Sequence, residues 1–378
     1  MNSRKDADFM AQALSLAVKG QYSTTPNPQV GCVIVKEGKI VGRGYHQKAG
    51  EAHAEVHALT EAGEAAKNAT VYVTLEPCSH TGKTGPCSVA LVNAGVRRVV
   101  IGSKDPNPLV AGRGIKILEE NGVIVNCGVL EEECERVNYA FFKRMRHQRP
   151  YVVIKLASSL DGKTALANGK SKWITSHASR DDVQHERAKA CAILTGANTV
   201  LKDNPRLTVR GESLRSEVGQ AFLSRGKQPL RVIVDGQNRL NDTFTLFSDG
   251  NQNLVFNLSP NISISETENT KQVQASSVNG RVNLDAMLRT LACDHHISLL
   301  WVEAGASLCG ALISQGLVDE LILYQAPMFL GDKGRDLLEL PELGDLKNAV
   351  GGRILSHCYI GNDLKYRVKL EHTKSDRF

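Results

Sequence analysis

Two short stretches of this chain carry metal-binding side chains whose spacing constrains the fold more than any other feature. His53 and Glu55 flank a single alanine, and Cys78 and Cys87 follow further along the chain. One imidazole and two thiols form a suitable ligand set for a catalytic zinc with one open coordination position. Glu55 is not needed as a ligand, so its carboxyl group is free to move protons. The chain must therefore fold so that two distant stretches meet at one ion.

The order of these residues, H-x-E followed by P-C and a second cysteine, is that of the zinc-dependent nucleobase deaminases. It predicts the hydrolytic removal of an exocyclic amine from a ring. Residues 79–86 separate the two cysteines, a longer spacing than the usual C-x-x-C pair of that class. Glu55 is expected to take a proton from the attacking water and deliver it to the ring nitrogen and the departing amine. The alternative is a closed structural zinc site with His57 or His80 as the fourth ligand, although such sites favour two close cysteine pairs.

Apolar periodicity predicts alternating strands and helices in the first half of the chain. The predicted strands are 30–35, 39–45, 70–75, 98–101 and 123–125, and the predicted helices cover 6–19, 89–92 and 114–121, with another opening at 52–53. His53 and Glu55 are expected in the first turn of a helix, and Cys78 is expected to follow a strand and start the next helix. Helix N-termini stabilise thiolates, which predicts a metal site between two helix starts at a sheet edge.

A basic stretch over 143–150 closes the first half, and a second series of apolar runs follows it. These runs cover 151–156, 188–194, 230–235, 254–256 and 298–303, whereas the polar region 257–282 is predicted to be a variable surface segment. After the last run, Gly305 and Ala306 form a small-residue turn into a helix, a weak candidate for phosphate binding. Glu303 can be either a solvated charge or a ligand for substrate hydroxyls, and spacing does not separate the two.

Composition bounds the remaining possibilities. A chain of 378 residues that is 42% hydrophobic should divide into about two domains. Its nine cysteines are scattered, which predicts reduced thiols and a cytoplasmic protein, and neither a bilayer-spanning run nor a signal peptide is visible. The net charge of +6 suits an anionic partner and a solvated basic surface equally well.

Several motifs in sequence order resemble those of one family, the bifunctional deaminase–reductases of riboflavin biosynthesis. The motifs are His53-Ala54-Glu55, Pro77 to Cys87, Lys155-Leu156-Ala157-Ser158-Ser159-Leu160-Asp161-Gly162-Lys163, Pro26-Asn27-Pro28, Asp105-Pro106-Asn107-Pro108, Trp173-Ile174-Thr175-Ser176 and Val302-Glu303-Ala304-Gly305. The resemblance implies an α/β protein with a cytidine-deaminase-like α/β/α domain over 1–148. A dihydrofolate-reductase-like α/β domain would follow over 149–378.

The resemblance also implies two activities and two cofactors. A zinc-dependent deaminase would remove the 2-amino group of a phosphoribosylamino-pyrimidine, and a reductase would use NADPH to convert its ribosyl group to ribityl. The expected partner is this phosphorylated pyrimidine, with no nucleic acid and no membrane, and the chain is expected to form a homo-oligomer, a dimer or larger.

The family's functional positions fall on specific residues of this sequence. Zinc is assigned to His53, Cys78 and Cys87, and proton transfer to Glu55. The NADPH-contacting positions are Ala157, Trp173, Thr199, Asp203, Gly305, Ala306 and Ser307. The substrate positions are Asn27, His46 and Lys83 in the deaminase and Ser171, Arg187, Leu207, Arg210 and Glu303 in the reductase, where Arg187 and Arg210 are expected to clamp the ribose phosphate. Lys155 and Asp161 are further candidates.

Two rival functions remain open at this point. An RNA base deaminase would share H-x-E and basic charge, but it is expected to show a C-x-x-C pair and an aromatic stacking surface. Aromatic residues make up only 5% of this chain. A non-catalytic protein with a structural zinc would not need Glu55.

Overall fold

The computed structural model describes residues 3–79, 85–107 and 110–371, and the chain divides into two compact units. The first unit comprises Met1–Gln148 and Ser216–Gly226, and the second comprises Arg149–Arg215 and Lys227–Phe378. The predicted domains, 1–148 and 149–378, differ from these units in the segment 216–226. Within the described ranges, no helix combines the length and the apolar character needed to cross a membrane.

The first unit is built on a five-stranded sheet in the order β2-β1-β3-β4-β5. Its strands are β1 (Gly31–Lys36), β2 (Lys39–Tyr45), β3 (Thr70–Leu75), β4 (Arg98–Ser103) and β5 (Ile124–Cys127). β1 runs antiparallel to β2 and β3, whereas β3, β4 and β5 are parallel. The helices are α1 (Ser3–Ala17), α2 (Ala54–Ala62), α3 (Cys87–Asn93), α4 (Arg113–Glu120), α5 (Glu131–Val137) and α6 (Tyr139–His147).

Glycines in β2 let α2 lie directly on the sheet. A Cβ on Gly44 would stand 2.1 Å from the carbonyl oxygen of Ala54, and a Cβ on Gly42 would stand 2.2 Å from that of Ala58. Ala54 and Ala58 are fully buried against the same sheet. Because side chains at these glycines would push the helix away, the small residues fix the height of the start of α2 above the sheet.

The second unit is built on a nine-stranded sheet in the order β11-β10-β9-β8-β14-β6-β15-β18-β17. Its strands are β6 (Tyr151–Ser158), β7 (Lys163–Ala165), β8 (Ala192–Gly196), β9 (Leu230–Val234), β10 (Asn253–Asn257), β11 (Thr270–Gln274), β12 (Ser277–Val278), β13 (Arg281–Val282), β14 (Leu299–Val302), β15 (Glu320–Gln325), β16 (Arg335–Asp336), β17 (Gly351–Ile360) and β18 (Asp363–Glu371). In the nine-stranded sheet, the neighbouring strands β11, β10, β9, β8, β14, β6 and β15 are all parallel. The hairpin β17–β18 completes this sheet in the antiparallel sense, and β7, β12, β13 and β16 lie outside it.

The remaining helices, numbered on from the first unit, are α7 (His177–Lys189), α8 (Ala197–Asp203), α9 (Ser216–Ser224, in the first unit), α10 (Thr245–Ser248), α11 (Leu284–Cys293) and α12 (Ala306–Ser314). Short 3-10 helices cover Val18–Gly20, Gly63–Ala66, Gly211–Ser213 and Leu346–Asn348. The central parallel strands β14 and β8 are buried almost throughout, as expected for a sheet covered on both faces.

The α/β class predicted from the sequence is confirmed, and β2 and β3 occupy the predicted ranges 39–45 and 70–75. The prediction for 257–282 is wrong in part, because Thr270–Gln274 pairs with β10 as a strand of the main sheet. The hairpin β17–β18 is absent from the predicted elements. The expectation that Cys78 starts a helix is also wrong: Cys78 lies in an irregular segment after β3, and α3 begins at Cys87.

Candidate metal centre and cofactor site

The two stretches with metal-binding side chains meet in the first unit. His53 is the N-cap of α2, and its Nδ1 lies 3.3 Å from the Sγ of Cys87 and 3.5 Å from the Sγ of Cys78. All three ligand atoms lie within 4.8 Å of one another. Among the described residues, this is the one group of three or more histidine, cysteine or acidic side chains that could hold a metal ion.

One thiol of this group, that of Cys78, is poised to carry negative charge. The hydrogen bond with Cys87 is the main reason that the pKa of Cys78 falls to about 4, and the same bond raises the pKa of Cys87 above its usual range. The main-chain N–H of Cys87, the first residue of α3, also donates to the Sγ of Cys78 over 3.3 Å. A thiolate with N–H donors is the form in which cysteine binds a metal.

The donor set fits zinc. One imidazole nitrogen and two sulfurs leave a fourth tetrahedral position without a protein ligand, which is the arrangement of catalytic rather than structural zinc sites. His57 does not belong to this group. His80, the other candidate for a fourth ligand, lies outside the described residues.

Glu55 lies in the first turn of α2, two residues after His53, and is 3% exposed. Its burial raises the pKa of the carboxyl group to about 7, against the lowering effect of a charged His53. A carboxyl group with a pKa near neutrality can both accept and release a proton at physiological pH. The geometry therefore gives the metal group an adjacent acid–base residue.

Asn27 and His46 form a chain of hydrogen bonds that ends at the main chain before His53. The Nδ1 of His46 lies 3.1 Å from the carbonyl oxygen of Ala52, and its Nε2 lies 3.1 Å from the Nδ2 of Asn27. A carbonyl accepts, so Nδ1 carries the proton and Nε2 accepts from the amide. The His46 ring also stands edge-on to the His53 ring, with centroids 5.3 Å apart. His46 thus orients the Asn27 amide. Lys83, the third residue predicted to bind the deaminase substrate, lies outside the described residues.

Three of the predicted reductase residues lie at the carboxyl ends of neighbouring strands in the second sheet. In the parallel strands β6, β8 and β14, Val302 pairs with both Ile154 and Leu194, so the carboxyl ends of the strands lie side by side. Ala157 is in β6, Thr199 follows β8 in α8, and Glu303 directly follows β14. Ligands of open α/β sheets bind at this edge.

Glu303 is held by other side chains at this edge. Its carboxylate accepts from the Nε and Nη2 of Arg187 over 2.5 and 2.8 Å and from the Nε1 of Trp301 over 2.8 Å. Burial would raise the pKa of Glu303, but Arg187 and Lys155 overcome that effect and hold it at about 2. The Nη1 of Arg187 donates to the carbonyl oxygen of Thr208. Arg187 therefore holds Glu303 in place. Of the two arginines predicted to clamp the ribose phosphate, Arg210 is the one whose side chain is exposed.

The other predicted residues occupy separate surroundings. Ser171 and Trp173 lie in an exposed segment before α7, and the Trp173 ring packs on the guanidinium of Arg180 at 4.3 Å. Leu207 is buried, Asp203 ends α8, and Gly305 is the N-cap of α12. Ala306 begins α12, and the hydroxyl of Ser307 donates to the carboxylate of Glu339.

Two residues with evident roles in these sites were not predicted. Glu76 is a buried carboxylate directly before Pro77-Cys78, and Trp301 donates to Glu303. A glutamate directly after an apolar strand and two residues before a metal ligand is a signal for the first. The sequence offers no comparable signal for the second.

Both units match known protein families. Residues 3–103 match the cytidine and deoxycytidylate deaminase zinc-binding region, and residues 150–366 match the RibD C-terminal domain. The chain is 46% identical to the riboflavin biosynthesis protein RibD of Haemophilus influenzae over 96% of its own length and 97% of that protein.

Solved structures of full length are also similar. RibD of Acinetobacter baumannii superposes with a TM-score of 0.88 at 39% identity, covering 98% of this chain and 100% of that one. A diaminohydroxyphosphoribosylaminopyrimidine deaminase/5-amino-6-(5-phosphoribosylamino)uracil reductase of Thermotoga maritima gives a TM-score of 0.83 at 32% identity, covering 98% and 99% of the two chains. The predicted pair of folds, one deaminase-like and one like the reductase domain of these proteins, is confirmed.

Proposed function

The chain belongs to the RibD family of riboflavin biosynthesis, and from this premise we propose the roles of its individual residues. It is a bifunctional enzyme with a deaminase and a reductase activity, and its cofactors are zinc and NADPH. The convergence of His53, Cys78 and Cys87 beside the buried Glu55 is the observation that carries the proposal.

The deaminase unit hydrolyses the 2-amino group of 2,5-diamino-6-(5-phosphoribosylamino)pyrimidin-4(3H)-one. His53, Cys78 and Cys87 would hold the zinc ion, which when bound would supply the Lewis acidity that makes a water molecule reactive near neutral pH. Glu55 takes one proton from the attacking water and gives it to the ring nitrogen. It then takes the proton of the newly added hydroxyl group and gives it to the amino group, which leaves as ammonia. Its pKa of about 7 suits both halves of that transfer.

Asn27, His46 and Lys83 bind the deaminase substrate. The amide of Asn27 donates to His46, so its carbonyl oxygen is the group offered to hydrogen-bond donors on the pyrimidine. His46 serves by fixing that orientation, since both of its ring nitrogens have protein partners. Lys83 supplies a positive charge for the ribose phosphate.

The reductase unit converts the ribosyl group of the deaminated product to ribityl, which gives 5-amino-6-(5-phosphoribitylamino)uracil. NADPH supplies the hydride, so the task of the protein is alignment. The cofactor-binding residues are Ala157, Trp173, Thr199, Asp203, Gly305, Ala306 and Ser307, and the substrate-binding residues are Ser171, Arg187, Leu207, Arg210 and Glu303. Among them, Glu303 is a fixed carboxylate suited to sugar hydroxyls, and Arg210 is an exposed cation suited to the phosphate.

The enzyme is further proposed to be a cytoplasmic homo-oligomer. All nine cysteines are free thiols, as expected in a reducing compartment. β17 is an edge strand of ten residues whose side chains are exposed almost throughout, including Ile354 and Tyr359. A long exposed edge strand is a template for pairing with a second copy. The boundary between its deaminase and reductase domains is proposed to lie between residues 148 and 149.

Mass spectrometry on the purified full-length protein tests this function. We expect the diamino substrate to exchange an amine for an oxygen without NADPH, and to gain two hydrogens once NADPH is added. Deamination without reduction would reject the assignment of the second unit. No turnover with zinc bound would favour a nucleic-acid base deaminase or a non-catalytic protein with a structural zinc.

A further inference from the structure

Glu76 is a buried acidic residue outside the assigned catalytic set. It follows β3 directly, is 3% exposed, and precedes Pro77 and the metal-binding Cys78. Its own N–H donates to the carbonyl oxygen of Ser103 over 3.0 Å, which continues the pairing of β3 with β4 by one residue. The Glu76 main chain is therefore anchored on the sheet, and its side chain reaches away toward another segment.

The carboxylate of Glu76 gathers main-chain N–H groups from the segment that leads into α4. Its Oε2 accepts from Asp105 over 3.3 Å and from Gly112 over 3.0 Å. Its Oε1 accepts from Gly114 over 3.0 Å and from Ile115 over 3.4 Å. Since the first N–H groups of a helix have no partner within the helix, Glu76 acts as an N-terminal cap supplied from a different strand.

The same segment touches the residue before the metal ligand. A Cβ on Gly114 would stand 2.0 Å from the carbonyl oxygen of Pro77 and 3.3 Å from the Oε1 of Glu76. α4 also packs against α3, the helix that begins at Cys87. One carboxylate thus ties the main chain just before Cys78 to α4, the helix that packs against the helix of the second cysteine.

We propose that Glu76 is a positioning residue for the zinc centre, which holds the main chain at Pro77 so that the Cys78 thiolate stays at bonding distance from His53 and Cys87. The assignment rests on the proposed zinc ligands. It requires a carboxylate, because each of the two oxygens accepts from two N–H groups. A glutamine at this position would turn an NH₂ group toward N–H donors and lose half of the acceptors. Groups that orient ligands from outside the ligand set are typically worth a factor of about 10 to 100 in metal affinity.

The test is Glu76→Gln in the full-length protein, with Asp6→Asn as the matched control. Asp6 is also a carboxylate of the first unit that accepts several hydrogen bonds, and its partners, Arg98 and Tyr72, lie outside the segment 76–87. Zn²⁺ affinity is measured by competition with a chromophoric chelator, and the absorption bands of the Co²⁺-substituted protein report the ligand geometry.

We expect Glu76→Gln to weaken Zn²⁺ binding by about 10- to 100-fold and to shift the Co²⁺ bands. Asp6→Asn should leave Zn²⁺ binding within about twofold even where it lowers the melting temperature as much. Unchanged Zn²⁺ affinity and Co²⁺ bands in Glu76→Gln would overturn the proposal, as would an equal loss of affinity in Asp6→Asn.

A second variant covers the case in which Glu76→Gln cannot be recovered as folded protein. Gly114→Ala leaves the carboxylate in place and displaces Pro77, so it should weaken Zn²⁺ binding in the same direction, and unchanged binding would overturn the proposal. Cys78→Ser separates this result from a failure of the zinc assignment itself. If Cys78→Ser retains full Zn²⁺ affinity, the ligand set is wrong, whatever Glu76 does.

Discussion

The two units of this enzyme place a buried glutamate in opposite electrostatic situations. Glu55 in the deaminase has its pKa raised to about 7 by burial, whereas Glu303 in the reductase has its pKa held at about 2 although burial acts on it in the same sense. The difference is the partner: Glu303 has the guanidinium of Arg187 in a two-bond ion pair. Among the described residues, no cationic side chain forms an ion pair with Glu55. A charged His53 lowers the pKa of Glu55, but the effect of burial is larger.

The contrast follows from what each reaction asks of the protein. Hydrolytic deamination moves protons, so one carboxyl group must be able to change its protonation state near neutral pH. Hydride transfer is supplied by NADPH, so the protein mainly fixes geometry, and a permanently charged Glu303 locked by Arg187 and Trp301 does that. With the residue roles proposed above, the deaminase site is built around one titratable group, and the reductase site around a rigid ion pair.

The largest expected effect is that of Glu55→Gln on deamination. Removing the proton carrier should lower the deamination rate by about 10³-fold, within the range typical of general acid–base catalysis. Bound zinc and NADPH oxidation on supplied deaminated substrate should persist, because His53, Cys78, Cys87 and the second unit are unchanged. The two rates and the metal content are measured on one preparation. Loss of both activities together would contradict the two-site arrangement.

Arg187→Met should have the largest effect on the second unit. It leaves the buried Glu303 carboxylate without the guanidinium that pairs with it, and breaking a buried pair in this way costs about 3–5 kcal/mol. Both tryptophans of the chain, Trp173 and Trp301, belong to the second unit, so tryptophan fluorescence during urea unfolding follows that unit alone.

The control for that variant is the double substitution Arg187→Met/Glu303→Met. Replacing both charges by apolar side chains should recover most of the lost stability without restoring reductase activity. If Arg187→Met alone were as stable as wild type, the ion pair between Arg187 and Glu303 would not hold the site in place. Deaminase activity should stay constant throughout.

The sequence predicts the deaminase site better than the reductase site for a physical reason. A zinc centre needs particular atoms at fixed distances, so His53, Cys78 and Cys87 reveal the chemistry by type and spacing alone. The reductase relies on the cofactor for its chemistry, and the residues that shape its site are common ones. The pairing of Arg187 with Glu303, 116 positions away, leaves no local pattern in the sequence.

Errors in the predicted elements have similar causes. β11 is polar because it carries side-chain hydrogen bonds, such as those of Gln272 to Asn261 and Ile264, so it lacks the apolar pattern of a strand. β17 is exposed along almost its whole length, and no buried face imposes alternation on it. In β18, by contrast, Leu364, Tyr366 and Val368 do alternate with charged residues, a signal that the sequence offers but the predicted elements lack.

Acid should destabilise the second unit in a defined pH range. Burial would raise the pKa of Glu186, but Lys189 and Lys365 overcome this and hold it at about 2, below its usual 4.5. A lowered carboxyl pKa contributes stability that is fully present above pH 4.5 and is lost as the pH falls towards 2. The shift corresponds to about 3 kcal/mol.

Urea unfolding followed by tryptophan fluorescence at pH 6 and at pH 2.5 measures this contribution. The difference in unfolding free energy between wild type and Glu186→Gln should narrow by about 2.5 kcal/mol between the two pH values, because at pH 2.5 the carboxyl group is already protonated in the unfolded chain while it is still mostly charged in the folded one. A difference that is independent of pH would show that Glu186 does not stay ionised in the folded second unit.

The smallest expected effect is that of Trp301→Phe, which separates the two partners of Glu303. The substitution keeps the aromatic ring and removes the Nε1–H that donates to Oε1 over 2.8 Å, a bond to a charged acceptor worth about 1.5 kcal/mol. If that bond fixes the carboxylate for catalysis, reductase kcat/KM should fall by about tenfold. Deaminase kcat/KM on the same preparation serves as the internal control and should not change. An unaltered reductase would mean that Arg187 alone holds Glu303, and the rigid element of the second site would then be the ion pair without the indole.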